Sequence, residues 1–291
     1  MKEETLSVSR KRNPYAKRIV AIDLVRGLCM FLVFFDHIMW CLGYFFPTWA
    51  SALGLTSGFL VSVGDFANFY YSNPARRIVQ FLALSAFVFI SGISCSFSKN
   101  NYKRSAKMVA FWFIIWIGSN VVNAFWSSGS VINFNVIGVI AFSCLFYCFF
   151  QNKSWKIITI NILLLILFWE YVLPNIYLAF KDSAVLAYPL WNPTSAEAPI
   201  WDPTYVQHDV YVNGQFYFQA DYMYLFPYII VFFLGVLFAK FFYAVPSEHV
   251  GGFKEWMRPI TFIGRHSLIF YLTHQIIIMG IFSLIGLAFR G

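Results

Sequence analysis

The chain has 291 residues, of which 59% are hydrophobic, 21% aromatic and only 12% charged, with a formal charge of +8. Soluble domains carry about 25% charged residues, so this composition excludes an ordinary soluble enzyme and points to a multi-pass membrane protein. The positive balance then calls for no nucleic-acid partner, because membrane proteins gather Lys and Arg on the cytoplasmic side.

The first 18 residues, "MKEETLSVSRKRNPYAKR", form a polar, basic tail. The apolar run that follows is longer than a signal-peptide core and ends in no small-residue cleavage site, so it reads as a retained first span. A span needs about 20 mainly apolar residues. Seven stretches qualify, at 20–46, 78–97, 108–126, 131–150, 155–173, 223–243 and 266–289. The stretch 52–71, "ALGLTSGFLVSVGDFANFYY" with its Gly, Ser and Asp65, stays open between a re-entrant segment, an interfacial one and an eighth span. The predicted fold is therefore all-α, a polytopic helical bundle of about seven transmembrane helices, with residues 19–291 as one membrane domain.

Charge sets the predicted orientation. With the N-terminus inside, the inner segments hold the tail's six basic residues, Lys99, Lys103, Arg104, Lys107, Lys153, Lys156, Lys240, Lys254, Arg258 and Arg265, which is 16 of the 21 Lys and Arg. The opposite side holds Lys181 and the acids Asp182, Glu197, Asp202, Asp209 and Asp221. This is the positive-inside pattern, and a full span at 52–71 would break it. Arg76 and Arg77 are the exceptions, on the outer side. The one large outer loop, 174–222, is rich in Pro, Tyr, Trp and Asp, a content that argues against disorder. The expected location is a bacterial cytoplasmic membrane with the N-terminus cytoplasmic.

Five cysteines, Cys29, Cys41, Cys95, Cys144 and Cys148, fall in or beside apolar runs without zinc-type spacing. They read as small buried hydrophobes, and no metal site is expected.

Ionisable residues inside spans are expensive and mark pathways or sites. The first span, "DLVRGLCMFLVFFDH", carries four. Asp23 and Arg26, three apart, are neighbours on one helix face. His37, eleven residues past Arg26, is rotated from it by only about 20° and lies about 16 Å further along the axis. Asp23, Arg26 and His37 thus share a stripe from the inner surface toward mid-membrane. Asp36 lies about 100° round from His37, so the two are no ready-made dyad. Together the four residues line a route for a substrate. The last span, "GRHSLIFYLTHQI", repeats the pattern: Ser267, Tyr271 and His274 share a face at spacings of four and three. Two deep histidines on two helices suit general acid–base chemistry, because imidazole ordinarily titrates near neutrality. The second span is rich in Ser and Gly, which favours close helix packing in lipid. The basic inner stretch "KNNYKRSAK" is foremost a topogenic signal that also suits a phosphate-bearing ligand.

Three motifs, "RIVAIDLVRGLCMFLVFFDH", "FVFISGISCSFSKNNYKR" and "ITFIGRHSLIFYLTHQ", resemble the catalytic domain of heparan-α-glucosaminide N-acetyltransferase and its short bacterial relatives, from residue 18 to about 280. The Arg-Gly pair followed by a His is also similar to the acyltransferase family 3 proteins. The resemblance implies an integral membrane acyltransferase. Acyl-CoA, foremost acetyl-CoA, would serve as a co-substrate on the cytoplasmic side, with no permanently bound cofactor. The acyl group would pass to a hydroxyl or amine of a glycan-like or other envelope acceptor. It assigns catalysis to His37, His274, Asp23 and Arg26, and on an acyltransferase reading the substrate contacts fall to Asp36, Ser267, Tyr271, Lys99, Lys103, Arg104 and Arg265. The chain departs from the lysosomal enzyme in having no His at 47–77, where that enzyme's catalytic histidine lies, so the role falls to His37. A transporter or flippase for a small solute or lipid is the competing reading, since it also explains charge inside the membrane. Against it, no inverted repeat or pair of broken helices is visible.

Overall fold

The first helix, α1 (Val20–Ala52), has 33 residues, or about 50 Å, which exceeds the roughly 30 Å of a bilayer's hydrocarbon core. It is the axis of a computed structural model that describes residues 20–98, 100–126, 132, 134–180, 209–212, 215–218, 223–242 and 255–288. The basic tail, Lys99, Lys181, Lys254 and most of the outer loop at 174–222 lie outside the described residues.

The chain returns along α1 in two pieces. Helix α2 (Phe59–Ser72) runs antiparallel to it: Gly64 lies against Pro47, Ala67 against Gly43, and the Tyr70 and Tyr71 hydroxyls reach Asp36. Asn73 then breaks the helix. Its side chain accepts from the Ala75 amide at 2.9 Å, and Pro74 occupies the first turn, where its missing N–H costs nothing. Helix α3 (Pro74–Ser96) resumes in the same direction, with Arg76 at the level of Asp36 and Ser94 at Arg26. Helix α2, the helical part of the 52–71 stretch, has 14 residues, fewer than a span needs, and is the first section of a single broken element that runs back along α1.

Helices α4 (Asn101–Trp126) and α5 (Val136–Tyr147) form an antiparallel pair, tied by Ser105 Oγ donating to the Ala141 carbonyl at 3.2 Å and by Trp112 edge-on to Phe134. Helix α6 (Trp155–Leu167) passes through a π-helical turn at Phe168–Val172 into α7 (Leu173–Phe180). A two-stranded antiparallel hairpin, β1 (Asp209–Val212) with β2 (Gln215–Phe218), pairs Asp209 with Phe218 and Val212 with Gln215. It is the one non-helical element among the described residues, and the sequence pattern did not foretell it.

Helix α8 (Tyr228–Phe242) fills the centre. Its Lys240 ammonium donates to the Lys153 carbonyl at 2.8 Å, which places the loop before α6 at the end of α8. Its packing on α3 is backbone-close. A Cβ at Gly92 would run into the Phe232 carbonyl oxygen, and one at Gly235 into that of Phe89. The small residues of α3 therefore serve close helix approach. Val88, Ile140, Tyr147, Phe232, Phe233 and Val236 form the solvent-free centre of the core around this crossing.

Short helix α9 (Arg258–Arg265) leads into α10 (Ser267–Ala288). Helix α10 runs parallel to α1. The pairs Phe34–Phe270, His37–His274, Phe45–Phe282 and Trp49–Gly286 keep a nearly constant sequence offset along both helices. Among the described residues, each predicted span contains a helix, which covers only 136–147 of the stretch 131–150 and 228–242 of the stretch 223–243. Among the described residues, four helical stretches, Val20–Ala52, Pro74–Ser96, Trp155–Ile176 and Ser267–Leu287, are long and apolar enough to cross a membrane. Helices α5 and α8 are shorter apolar helices of 12 and 15 residues, and α4 opens on Lys103, Arg104 and Lys107. The outward surface is apolar, with Phe59 74% and Ile276 75% exposed, as a lipid-facing bundle requires.

Candidate active site

The N-terminal end of α1 is held by backbone contact. A Cβ at Gly27 would overlap the Ile260 carbonyl oxygen, and one at Gly264 that of Asp23, so α9 lies directly across α1. This approach sets Arg265 Nε 3.7 Å from the Asp23 carboxylate, which is buried. The Arg265 guanidinium, for which the sequence suggests a phosphate contact, faces the Asp23 carboxylate here. Arg26, one turn further, donates to Ser94 Oγ on α3. The hydroxyl of Ser94 in turn donates to the Ile90 carbonyl at 2.9 Å.

A cavity of about 560 Å³ opens between α1, α3, α4, α5 and α10. Arg26, Lys103, Arg104 and Lys107 give it four cations. Lys103 and Arg104 stand in the first turn of α4, where the backbone N–H groups also favour an anion. Phe87, Met108, Phe111 and Ile140 make the apolar walls. Ser267 and Tyr271 face it from α10. Five residues picked from the sequence, Arg26, Lys103, Arg104, Ser267 and Tyr271, thus meet at one cavity, although they are spread over 245 positions (271 − 26).

Tyr271 connects the cavity to the histidines. Its ring lies 5.4 Å from that of His274, which meets His37 edge to face at 4.7 Å and 88°. Both imidazoles are oriented by their own helices. His37 Nδ1 is 2.8 Å from the Val33 carbonyl oxygen, and His274 Nδ1 is 2.6 Å from that of Tyr271. A carbonyl only accepts, so Nδ1 carries the proton in each ring and Nε2 keeps the lone pair. His274 Nε2 is buried with no hydrogen-bond partner among the described residues. Phe34 packs on His274 at 5.4 Å. The arrangement offers two lone-pair nitrogens next to a cation-rich cavity, which is what a general base beside an anionic donor needs.

Asp36, beside His37, is held by neighbouring protein groups. Both carboxylate oxygens are engaged by protein: Arg76 Nε donates to Oδ1 at 2.8 Å and an Arg76 terminal nitrogen to Oδ2 at 2.6 Å. The Tyr70 hydroxyl adds 3.0 Å to Oδ1, and the Tyr71 hydroxyl lies 2.9 Å from the Asp36 carbonyl and 3.3 Å from Oδ2. The Arg76 guanidinium also sits 4.2 Å over the Tyr71 ring. With these partners Asp36 is a structural clasp between α1, α2 and α3, one residue from His37. Sequence reasoning missed Tyr70 and Tyr71. Its one signal was Arg76, a cation on the side where cations are not expected.

Comparison with known proteins gives a single kind of match. The family model for "Heparan-alpha-glucosaminide N-acetyltransferase, catalytic" aligns with residues 18–276, which take in α1 through most of the first half of α10. No curated protein and no solved structure matches the chain. The matched range contains the α1–α9 crossing, the cationic cavity and both histidines, so the chain belongs to the heparan-α-glucosaminide N-acetyltransferase catalytic-domain family, a family of membrane acetyltransferases.

Proposed function

We propose that the protein moves an acyl group, foremost acetyl, from acyl-CoA at the cytoplasmic face to a hydroxyl or amine of a glycan-like envelope acceptor. The observation that carries this reading is the cavity that sets Arg26, Lys103 and Arg104 at one end and Tyr271, in contact with His274, at the other. An anionic, nucleotide-bearing donor with an apolar arm matches that polarity. Its phosphates lie against the cations as charge-assisted hydrogen bonds, and its thioester arm runs along Phe87 and Met108.

At the far end His37 is the base. The hydrogen bond from Nδ1 to the Val33 carbonyl fixes the tautomer, so Nε2 takes the proton as the acceptor's oxygen or nitrogen attacks the thioester carbonyl. The carbon–sulfur bond then breaks, and the CoA thiolate leaves with that proton. His274 lies in ring contact and limits the orientations open to His37. Asp23, paired with Arg265, holds α9 across the inner end, and Arg26 bridges to α3 beside the donor. The N-terminus faces the cytoplasm, and residues 19–291 act as one domain.

The test is acetyl transfer from labelled acetyl-CoA by the purified chain in lipid nanodiscs, wild type against His37→Ala. Acetyl-CoA binding with His37-dependent consumption supports the reading. A transporter shows neither.

A further inference from the structure

The cavity and the histidine pair do not join in this structure, and one aromatic residue stands where they approach each other. The cavity grades from polar to apolar away from the N-terminal end of α1. Along α4 its lining runs Lys103, Arg104, Lys107, Met108, Phe111, and along α10 it runs Ser267, Leu268, Tyr271. From the residues after α3 back into that helix it runs Ser98, Ser91, Phe87. The lining stops short of the histidines on both helices that carry them. On α1 it holds Arg26, whereas Met30, one turn on, is 1% exposed and outside it, and His37 lies about 16 Å past Arg26. On α10 its last member is Tyr271, about 4.5 Å along the axis before His274.

Tyr271 belongs to both sides of that boundary. It lines the cavity, and its ring lies 5.4 Å from the ring of His274, which touches His37. It also packs in one buried cluster with Met30 and Ile140. A donor seated with its phosphates at Lys103 and Arg104 therefore meets Tyr271 before it meets an imidazole.

We propose that the Tyr271 ring is a gate between the cavity and the His37–His274 pair, a positioning residue that admits the thioester to the base and otherwise keeps cavity water from it. This rests on the acyl-transfer reading above. Aromatic side chains on helices use two χ1 wells, so the ring can swing without a change in the α10 backbone. With the ring in place, a thioester in the cavity is out of reach of His37. With the ring aside, the thioester carbonyl enters next to Nε2. The closed gate protects the donor from a side reaction in which water replaces the acceptor. In that reaction the water oxygen bonds to the thioester carbonyl carbon and the carbon–sulfur bond breaks. One water proton passes through His37 to the CoA thiolate, and the products are CoA and acetic acid, which ionises.

The experiment follows acetyl-CoA hydrolysis by the full chain in nanodiscs with no acceptor added. Tyr271→Ala removes the ring, and Tyr271→Leu does so while keeping an apolar side chain in the cluster, which guards against loss of folding. Hydrolysis is expected to rise at least about tenfold in the Leu variant, since a positioned base contributes about 10²–10⁴-fold once water reaches it. Adding His37→Ala to Tyr271→Leu is expected to return the rate to within about twofold of wild type, which a merely loosened bundle would not do. Tyr271→Phe, which restores a ring, is expected to bring hydrolysis back below that of the Leu variant. A folded Tyr271→Leu protein that binds acetyl-CoA and hydrolyses it no faster than wild type overturns the proposal, and so does a rise that persists without His37. Absence of acetyl-CoA binding to the wild type, measured directly, removes the acyl-transfer reading and this inference with it, whereas binding with an unmoved hydrolysis rate removes the gate alone.

Discussion

His37 and His274 lie on parallel helices with their rings 4.7 Å apart and perpendicular, each with Nδ1 at its own helix's carbonyl. The contact is enforced along the whole α1–α10 seam, since Phe45–Phe282 and Cys41–Met279 continue the same register outward. Replacing His274 therefore perturbs the orientation of its neighbour. His274→Phe, which keeps the ring packing against Phe34 and loses the nitrogens, is expected to preserve folding and lower kcat at least about tenfold. Circular dichroism and steady-state acetyl-transfer kinetics together check this outcome.

The donor end is tested by charge. Lys103→Gln with Arg104→Gln removes two of the cavity's four cations while leaving α4's packing on α5 through Ser105 and Trp112 untouched. Charge-assisted hydrogen bonds are worth roughly 1.5–3 kcal/mol, so the apparent KM for acetyl-CoA should rise by more than tenfold with little loss of expression. Raising the ionic strength should weaken donor binding in the wild type more than in the double variant. An unchanged donor KM would assign the cluster to membrane topology alone.

The Asp36–Arg76 clasp predicts stability. The Arg76 side chain is 6% exposed and that of Asp36 19%. Removing one partner leaves the other charge buried and unpaired, which costs about 3–5 kcal/mol in a dry site and less here because Asp36 keeps some solvent access. Arg76→Met should lower the melting temperature by several degrees in detergent. Asp36→Leu combined with Arg76→Met should recover part of that loss, because the orphaned charge is gone. A double variant less stable than either single one would contradict the clasp.

Close approach at Gly92 and Gly235 gives a steric prediction. Each site faces a carbonyl oxygen of the other helix with no flexible side chain to yield. Gly92→Val is expected to abolish the folded, monodisperse protein in size-exclusion chromatography. The same change at Gly118, where nothing lies within 4 Å, should be tolerated.

Much of this molecule is legible in its sequence, because in lipid the constraints are strong. Each of the seven apolar stretches contains a helix among the described residues, since in lipid every backbone group must find a partner within its own segment. The eleven-residue step from Arg26 to His37 and the four-three spacing of Ser267, Tyr271 and His274 place residues on helix faces without any knowledge of the fold. What such periodicity cannot supply is the partner across a gap. Asp36 stands 40 residues from Arg76 in sequence, so its use as a clasp depends on α2 folding back and breaking at Asn73. Arg265 turns toward Asp23 only because Gly27 and Gly264 let α9 touch α1.

The central claim is that His37 Nε2 is the base of an acyl transfer from a CoA thioester. The most direct measurement is a single-turnover reaction of labelled acetyl-CoA with His37→Gln in nanodiscs, alongside acetyl-CoA binding to the same preparation. A glutamine amide keeps one hydrogen bond to the Val33 carbonyl and cannot take a proton near neutral pH. A positioned base contributes typically 10²–10⁴-fold, so transfer is expected to slow by at least about a hundredfold with acetyl-CoA affinity unchanged. Turnover equal to wild type in that variant would contradict the account and move the chemistry to His274.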